Sequence, residues 1–160
     1  MKIKGRVWRF GNDIDTDLII PARYLVTTDA KELGLNCLGG IKKGFPSEVK
    51  SGDIIVGGKN FGSGSSREHA PLAIKGAGVA AVIASSFARI FYRNSINIGL
   101  PIIEIDSVNR FKDKDLIEID FLGGSISNLT TREDLSFQSY PEFLQRIIKA
   151  GGLMRWAEKI

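Results

Sequence analysis

The sequence predicts one α/β domain whose mixed sheet is flanked by helices. Its 160 residues are the length of a single domain. Residues 51–56 (SGDIIV) indicate a turn and a short buried strand, and apolar residues recur at helical spacing over 70–77, so the segment between them connects a strand to a helix. Polar and apolar residues alternate over 115–121 and 125–130, on either side of a glycine pair, and this pattern predicts an antiparallel hairpin.

The first fifty residues contain the least regular part of the chain. Polar and apolar residues alternate over 2–10, which predicts an opening strand. Residues 12–17 are acidic but lack the glycine and the terminal glutamate of an EF-hand loop, so their side chains are expected to bond a turn rather than calcium. Pro21 suits the first position of a helical turn. A short capped helix is expected over 30–34, within a loop-rich stretch at 26–50.

The second half of the chain predicts strands and helices in alternation. Small and β-branched residues at 79–84 indicate a buried strand, residues 87–95 a helix, and residues 101–105 another strand. After the hairpin, a terminal helix is expected over 141–149, and a pair of glycines separates it from a last short helix around 154–157.

The connection between the 51–56 strand and the next helix is rich in reactive side chains. Two hydroxyls, a guanidinium, a carboxylate and the chain's only histidine lie within residues 65–69. Gly62 and Gly64 allow a positive φ and the close approach of a ligand. Ser65 and Glu68 fit a capping box, which would start the helix near Ser65 and offer its free N–H groups to an anion. The residues alone leave two interpretations open: an anion-binding loop, or a capped helix after a glycine turn.

Several familiar loops are excluded by single residues. Arg67 stands where a dinucleotide-binding fingerprint would need glycine. A P-loop would need lysine directly after its second glycine, but Ser63 follows Gly62. Ser66 is not flanked as in a nucleophile elbow, and a second histidine for a triad is absent from the sequence.

Composition narrows the class of protein. The 22 basic and 18 acidic side chains give a net charge of +4, and the basic residues are scattered without interleaved aromatics, which argues against a nucleic-acid partner. The apolar runs are too short for a membrane span or a signal segment, so a cytoplasmic protein without a membrane partner is expected. Cys37 is the single cysteine, whereas an iron–sulfur cluster takes three or four thiolates, so no metal is expected in this chain.

Three segments resemble the swivelling domain of the aconitase superfamily. They are residues 12–22 (NDIDTDLIIPA), 62–70 (GSGSSREHA) and 85–91 (SSFARIF). The first segment is similar to the opening block of the isopropylmalate isomerase branch. The resemblance implies one β/β/α swivel domain over 1–160, with a mobile substrate-specificity loop at 26–50 and C-terminal helices at 141–160.

The resemblance also implies an activity. In this branch the domain is a separate small subunit of 3-isopropylmalate dehydratase, a hydro-lyase of leucine biosynthesis that interconverts 2- and 3-isopropylmalate by dehydration and rehydration. Such a subunit is expected to act only with a large subunit that carries a [4Fe-4S] cluster, as a heterodimer or heterotetramer. A homoaconitase small subunit, a subunit for a broader range of 2-hydroxy di- or tricarboxylates, and a free-standing anion-binding module remain as alternatives.

The site residues follow from the same resemblance. Ser65 is matched to the catalytic base, and Ser66 and Arg67 to the residues that hold a substrate carboxylate. Val26, with Thr27 beside it, is matched to the place where homoaconitase-like relatives have arginine and isopropylmalate isomerase-like relatives have an apolar residue. Because a carboxylate buried without a cation is costly, the apolar Val26 favours isopropylmalate.

The sequence does not fix the roles of four other polar residues. Arg23 keeps the homoaconitase alternative open, because a flexible loop could carry it inward. His69 is expected to bond the loop or a neighbouring acid, with a direct acid/base role as the alternative. Arg89 and Arg93 are four residues apart on one helical face, where they could reach an anion or form a solvated or interface surface.

Overall fold

The structure is a computed structural model that describes residues 1–65 and 67–159. Its strands are β1 (Lys2–Arg9), β2 (Ile54–Val56), β3 (Ala81–Ala84), β4 (Ile102–Glu104), β5 (Leu116–Asp120), β6 (Ser125–Asn128) and β7 (Glu133–Ser136). Its helices are α1 (Thr16–Ile19), α2 (Ala30–Gly34), α3 (Phe45–Glu48), α4 (His69–Gly76), α5 (Arg89–Asn97), α6 (Glu142–Ala150) and α7 (Leu153–Glu158).

The strands form one mixed sheet in the order β4-β3-β2-β1-β5-β6-β7. β1 lies at the junction of two halves: its end pairs in parallel with β2 at Val7↔Ile54, and its beginning pairs antiparallel with β5 at Lys2↔Asp120. β2 and β3 are buried along their whole length, whereas buried and partly exposed residues alternate along β5 and β6. This difference is expected, because parallel strands are covered on both faces and antiparallel strands often on one.

Neighbouring residues of the parallel strands face two separate hydrophobic clusters. Ile55 and Val82 pack into the cluster that contains the helices, while Ile54 and Ile83 pack into the cluster beneath the antiparallel strands. Since side chains alternate between the faces of a strand, a sheet with apolar residues at consecutive positions can join both clusters. The predicted mixed sheet with flanking helices is therefore confirmed.

Most of the predicted elements are present near their expected bounds. β1, β2, the β5–β6 hairpin and helices α6 and α7 are confirmed. The helix predicted at 87–95 begins two residues later, at Arg89, because Phe87 and Ala88 are still extended. Pro21 precedes only a single 3₁₀ turn over Ala22–Tyr24. β7 was not predicted, because its residues (EDLS) are mostly polar and the strand forms by pairing with β6.

The irregular segment at 26–50 is anchored to the core. The short helix predicted at 30–34 is confirmed as α2, whose N-cap Asp29 accepts hydrogen bonds from the backbone of Lys31 and Glu32. Four apolar side chains after residue 30 are completely buried: Leu33, Cys37, Leu38 and Phe45. These contacts tie the later part of the segment to the core, although exposed residues such as Val26, Leu35 and Ile41 occur along its length. The mobility and substrate-specificity role expected for 26–50 stay predictions.

Candidate functional site

The three segments that resemble the aconitase swivel domain meet beyond the carboxyl ends of β1, β2 and β3. The loop after β2 bonds to the turn after β1, with Gly58 N donating to Gly11 O at 2.9 Å. It bonds equally to the turn after β3, with Ser85 N donating to Gly58 O at 3.0 Å. The carboxyl edge of a parallel sheet is where α/β proteins usually bind their ligands. The loop therefore lies in the middle of the edge at which this type of sheet binds ligands.

Side chains of the opening block fix this loop in place. Asn12 Oδ1 accepts a hydrogen bond from Lys59 N at 2.8 Å. Asp15 caps α1 by accepting from Leu18 N at 2.9 Å. Both contacts confirm the prediction that the Asn and Asp side chains of residues 12–17 bond the backbone.

The loop packs against a cluster of three aromatic rings, those of Phe61, Phe87 and Phe91. The ring centroid of Phe61 lies 5.9 Å from that of Phe87 and 5.5 Å from that of Phe91, and the last two rings are stacked 5.9 Å apart. Gly62 passes over this cluster with a φ of 86°. A Cβ at this position would lie 2.2 Å from Cγ of Phe91. Position 62 thus requires glycine for both its backbone conformation and its close packing.

Replacement of Gly62 by alanine is expected to destabilise the domain. The added methyl group clashes with the Phe91 ring, and the left-handed backbone disfavours any side chain, so we expect a loss of about 2–4 kcal/mol. Urea unfolding measures the change. Gly40→Ala is the matched control, since a Cβ at Gly40 meets nothing within 4 Å. Equal stability of the two variants would contradict this packing account.

Ser65 lies at the exposed surface of the loop and is held through its backbone. Its N–H donates to Thr16 Oγ1 at 3.0 Å, and Thr16 N donates to Ser63 O at 2.8 Å. The Ser65 side chain accepts a hydrogen bond from Arg67 N, with an N–O distance of 3.2 Å. The hydroxyl of Ser65 is consequently exposed to a ligand while its main chain is tied to α1.

The predicted capping box is wrong. α4 begins at His69, and Glu68 is its N-cap residue without a side-chain capping bond. The loop keeps a non-helical path as far as this point, because Gly64 has a φ of 113° and Ser65 bonds to Thr16 across the sheet edge. The free N–H groups of α4 therefore begin near His69, four residues later than the sequence suggested.

A small cleft brings two of the predicted site residues together. Its lining consists of Thr16, Asp17, Ile20, Leu25, Ser65, Arg67, His69 and Ala70. Ser65 and Arg67 therefore face the same space, whereas Ser66 lies outside the described residues. Sequence reasoning missed Thr16 and Asp17, although the acidic run at 12–17 marked the segment to which they belong.

His69 lies at a different place in its helix from the one that the predicted helix start implies. It is the first residue of α4 rather than a residue one turn inside the helix. Its Nδ1 atom is buried and has no hydrogen-bond partner within residues 1–65 and 67–159, so the expected bond to the loop or to a neighbouring acid is not found at this atom. The imidazole nevertheless lines the same cleft as Ser65 and Arg67.

Val26 and Thr27 follow a residue that lines this cleft but are not among its lining residues. The Val26 side chain is 91% exposed, and its neighbour Leu25 lines the cleft. Thr27 Oγ1 accepts a hydrogen bond at 3.0 Å from the backbone N–H of Asp29, and Asp29 is the N-cap residue of α2. The Arg23 guanidinium lies over the Tyr24 ring, 4.7 Å from its centroid.

Arg89 and Arg93 are exposed on α5 and line a different depression. Glu104 shares that depression and accepts a hydrogen bond from Phe87 N at 3.2 Å. Burial, together with the nearby Glu104 carboxylate, raises the pKa of Tyr92 in the same depression. The two arginines are thus placed next to a carboxylate, and they do not line the cleft of Ser65.

A larger groove of about 560 Å³ lies elsewhere, beside Trp8, Lys50 and Asp53. Asp53 precedes β2, so this groove is at the amino end of that strand, opposite to the loop. Its buried carboxylate is already occupied by Trp8 Nε1 at 2.8 Å and Lys50 N at 2.9 Å. The cleft of Ser65 has a volume of only about 20 Å³, but it lies at the carboxyl edge and contains two of the predicted site residues, so it is the better candidate.

The described part of the chain offers neither a metal site nor a membrane-spanning helix. Within it, no group of three His, Cys, Asp or Glu side chains could hold a metal ion. Cys37 is completely buried, and this burial raises the pKa of its thiol well above the usual value. None of the helices in residues 1–65 and 67–159 has the length and apolar character needed to cross a membrane.

Comparison with known proteins gives consistent matches. Residues 45–107 match the family described as the aconitase C-terminal domain. The chain is 58% identical to the isopropylmalate/citramalate isomerase small subunit of Methanocaldococcus jannaschii, over 98% of this chain and 94% of that protein. It is also 58% identical to the 3-isopropylmalate dehydratase small subunit of Nautilia profundicola, over 99% and 95% of the two chains. A crystal structure of 3-isopropylmalate dehydratase from M. jannaschii superposes with a TM-score of 0.94, at 48% identity, covering 99% of this chain and 95% of that one.

Proposed function

The chain belongs to the family of 3-isopropylmalate dehydratase small subunits in the aconitase superfamily, and on this basis we propose how its residues contribute to the interconversion of 2- and 3-isopropylmalate. The observation that carries the proposal is a cleft where the first two of these distant segments meet and where Ser65 and Arg67 are exposed, while the third segment contacts the same loop from outside the cleft. The chain supplies one side of an active site of a hydro-lyase. The other side belongs to a large subunit.

The reaction begins with the loss of a proton and a hydroxyl group from neighbouring carbons. Ser65 Oγ, as the alkoxide, accepts the proton from the carbon next to a carboxylate. The electrons of the broken C–H bond form the carbon–carbon double bond as the hydroxyl leaves as hydroxide, and the proton held by Ser65 and this hydroxide together make up the water that is lost. Addition of water with the opposite orientation then gives the isomer. Lewis-acid assistance to the hydroxyl and carboxylate would come from the [4Fe-4S] cluster that we assign to the large subunit.

Ser65 needs help to act as a base, because a serine hydroxyl ionises poorly at neutral pH. The Arg67 N–H already points at Ser65 Oγ from 3.2 Å, and a fixed N–H dipole stabilises a negative oxygen. The Arg67 guanidinium is exposed beside it and can bind a substrate carboxylate through two parallel hydrogen bonds. Ser66 is proposed to add a hydrogen bond to the same carboxylate.

The exposure of these groups supports a partner that closes the cleft. Ser65 and Arg67 are both exposed in this chain, whereas electrostatic stabilisation of an alkoxide is strongest where water is excluded. Cys37 is buried and is the single cysteine of the sequence, whereas an iron–sulfur cluster takes three or four thiolates. The cluster ligands must therefore come from another polypeptide. We propose a heterodimer or heterotetramer with the cluster-bearing large subunit, working in the cytoplasm.

Substrate selection is assigned to Val26. Replacement of Val26 by arginine should move the ratio of kcat/KM for homoaconitate over isopropylmalate upward by about 10-fold or more, since the cation can pair with a distal carboxylate and disfavours an isopropyl group. Steady-state kinetics of the reconstituted complex measures this ratio.

The matched control for this change is Leu122→Arg, which introduces the same charge at an exposed apolar residue in the turn between β5 and β6. The control should keep the ratio of the parent enzyme. An unchanged ratio in Val26→Arg would mean that specificity is determined elsewhere, for example in the large subunit.

Citramalate is a second candidate substrate. A relative that is 58% identical carries both isopropylmalate and citramalate in its name. Citramalate has a methyl group where 2-isopropylmalate has the isopropyl group, and neither requires a cation at position 26. The proposed function is tested by offering isopropylmalate, citramalate and homoaconitate to the anaerobically reconstituted complex, with each subunit alone as a control. Turnover of homoaconitate alone would overturn the substrate assignment, and turnover of none of the three would overturn the proposed activity.

A further inference from the structure

We infer that Thr16 is a positioning residue for Ser65, an inference that rests on the proposed role of Ser65 as the base. The contact is direct: the Ser65 N–H donates to Thr16 Oγ1 at 3.0 Å. Thr16 N in turn donates to Ser63 O at 2.8 Å, so the threonine bonds to the loop on both sides of Gly64. The pair of bonds fixes the backbone from which the Ser65 hydroxyl projects.

Ser65 depends on such an anchor because no helix holds it. α4 begins four residues later at His69, so the main chain of Ser65 is outside the helical hydrogen-bond pattern. Gly64 immediately precedes it with a φ of 113°, and glycine restricts the backbone less than any other residue. A hydrogen bond from another element therefore fixes the Ser65 backbone, and it acts together with the bond that Ser65 Oγ accepts from Arg67 N.

Thr16 is itself well fixed. The residue is 8% exposed and is the first residue of α1, where its carbonyl accepts a hydrogen bond from Ile20 N at 2.9 Å. The loop also fits closely around its hydroxyl: a Cβ on Gly64 would lie 2.8 Å from Thr16 Oγ1. Threonine and glycine at these positions are thus complementary. A rigid hydroxyl on one element accepts the N–H of a flexible loop on another.

The position of the base determines how easily it reaches the proton. Small misplacements of a reacting group lower rates steeply, by up to roughly 100-fold for a shift of about 1 Å. Substrate binding through Arg67 depends much less on the exact position of the Ser65 hydroxyl. Loss of the Thr16 hydroxyl should therefore lower kcat and leave KM nearly constant.

The test uses two substitutions at position 16 and one remote control. Thr16→Val keeps the shape of the side chain and removes the acceptor, whereas Thr16→Ser keeps the hydroxyl. Thr130→Val removes a contact of the same kind far from the cleft, where Thr130 Oγ1 accepts from Leu116 N at 2.8 Å. In the complex with the large subunit, we expect kcat to fall roughly 10- to 100-fold in Thr16→Val, with KM changed by less than about twofold. Thr16→Ser should retain most of the activity, and Thr130→Val all of it.

A second readout does not depend on turnover. Hydrogen exchange of the Ser65 amide, followed by NMR in the full chain, should be slow in the parent protein and in Thr16→Ser and faster in Thr16→Val. Equal exchange of the Ser65 amide in all three proteins would overturn the inference, as would equal kcat values.

The two readouts separate this inference from the proposed function. If the parent complex lacks isopropylmalate dehydratase activity, the proposed function fails, and with it the role of Thr16 in placing a base. If the parent complex is active and Thr16→Val retains its kcat, the proposed function stands and only the inference about Thr16 fails.

Discussion

Replacement of Ser65 by alanine is expected to abolish turnover of isopropylmalate by the reconstituted complex. The substitution removes the oxygen that accepts the proton from carbon, and general-base catalysis contributes about 10²- to 10⁴-fold to the rate of such a step. It leaves the backbone bond from Ser65 N to Thr16 Oγ1 in place, because that bond does not involve the side chain. The effect should therefore appear in kcat, measured at saturating substrate.

Assembly serves as the control for this loss. The alanine variant should bind the large subunit with unchanged affinity in sedimentation experiments, since only one small exposed side chain is shortened. Ser136→Ala removes an exposed serine hydroxyl from β7 and should leave both assembly and kcat unchanged. Full activity of the Ser65→Ala complex would remove the base assignment.

Replacement of Arg67 by lysine is expected to reduce kcat/KM by about 10- to 100-fold. Lysine conserves the charge but cannot form the two parallel hydrogen bonds that a guanidinium makes with a carboxylate, and charge-assisted bonds of this kind contribute about 1.5–3 kcal/mol each. The Arg67 backbone N–H to Ser65 Oγ remains, so the base keeps its local contact. Steady-state kinetics and the affinity for a dicarboxylate inhibitor both report the change.

The same charge-conserving substitution at a remote site provides the comparison. Arg146 is exposed on α6, where its guanidinium is 2.8 Å from the Glu142 carboxylate. Arg146→Lys should leave kcat/KM unchanged. If Arg67→Lys also leaves it unchanged, the substrate carboxylate is held by other residues, and the proposed orientation of the substrate is wrong.

The fold was predictable where local patterns determine it. The hairpin of β5 and β6 was predicted from alternation around a glycine turn, and α2 from possible capping residues at 27–29, of which Asp29 is the cap. β7 was missed because its polar residues have little preference for a strand, and the strand forms only by pairing with β6. The start of α4 was predicted four residues too early for a related reason. The backbone N–H of Ser65 bonds to Thr16 on another element and not to Glu68, its partner in the predicted capping box.

The candidate site was predictable as a set of residues but not as an arrangement. Resemblance of short segments identified Ser65 and Arg67, which the structure places in one cleft. The contribution of Thr16 depends on two segments separated by 49 positions, which no local pattern reveals. Arg89 had a plausible spacing for anion binding, yet β4 places Glu104 beside it, in a separate depression.

Competition between active and inactive copies of this chain tests the central claim most directly. A fixed amount of large subunit is saturated with mixtures of the parent chain and Ser65→Ala at constant total concentration, and isopropylmalate turnover is measured. Because the variant should assemble normally but lack the base, activity should fall in proportion to its fraction in the mixture. Constant activity at every fraction, with sedimentation showing the variant in the complex, would contradict the claim that this chain supplies the base of the enzyme.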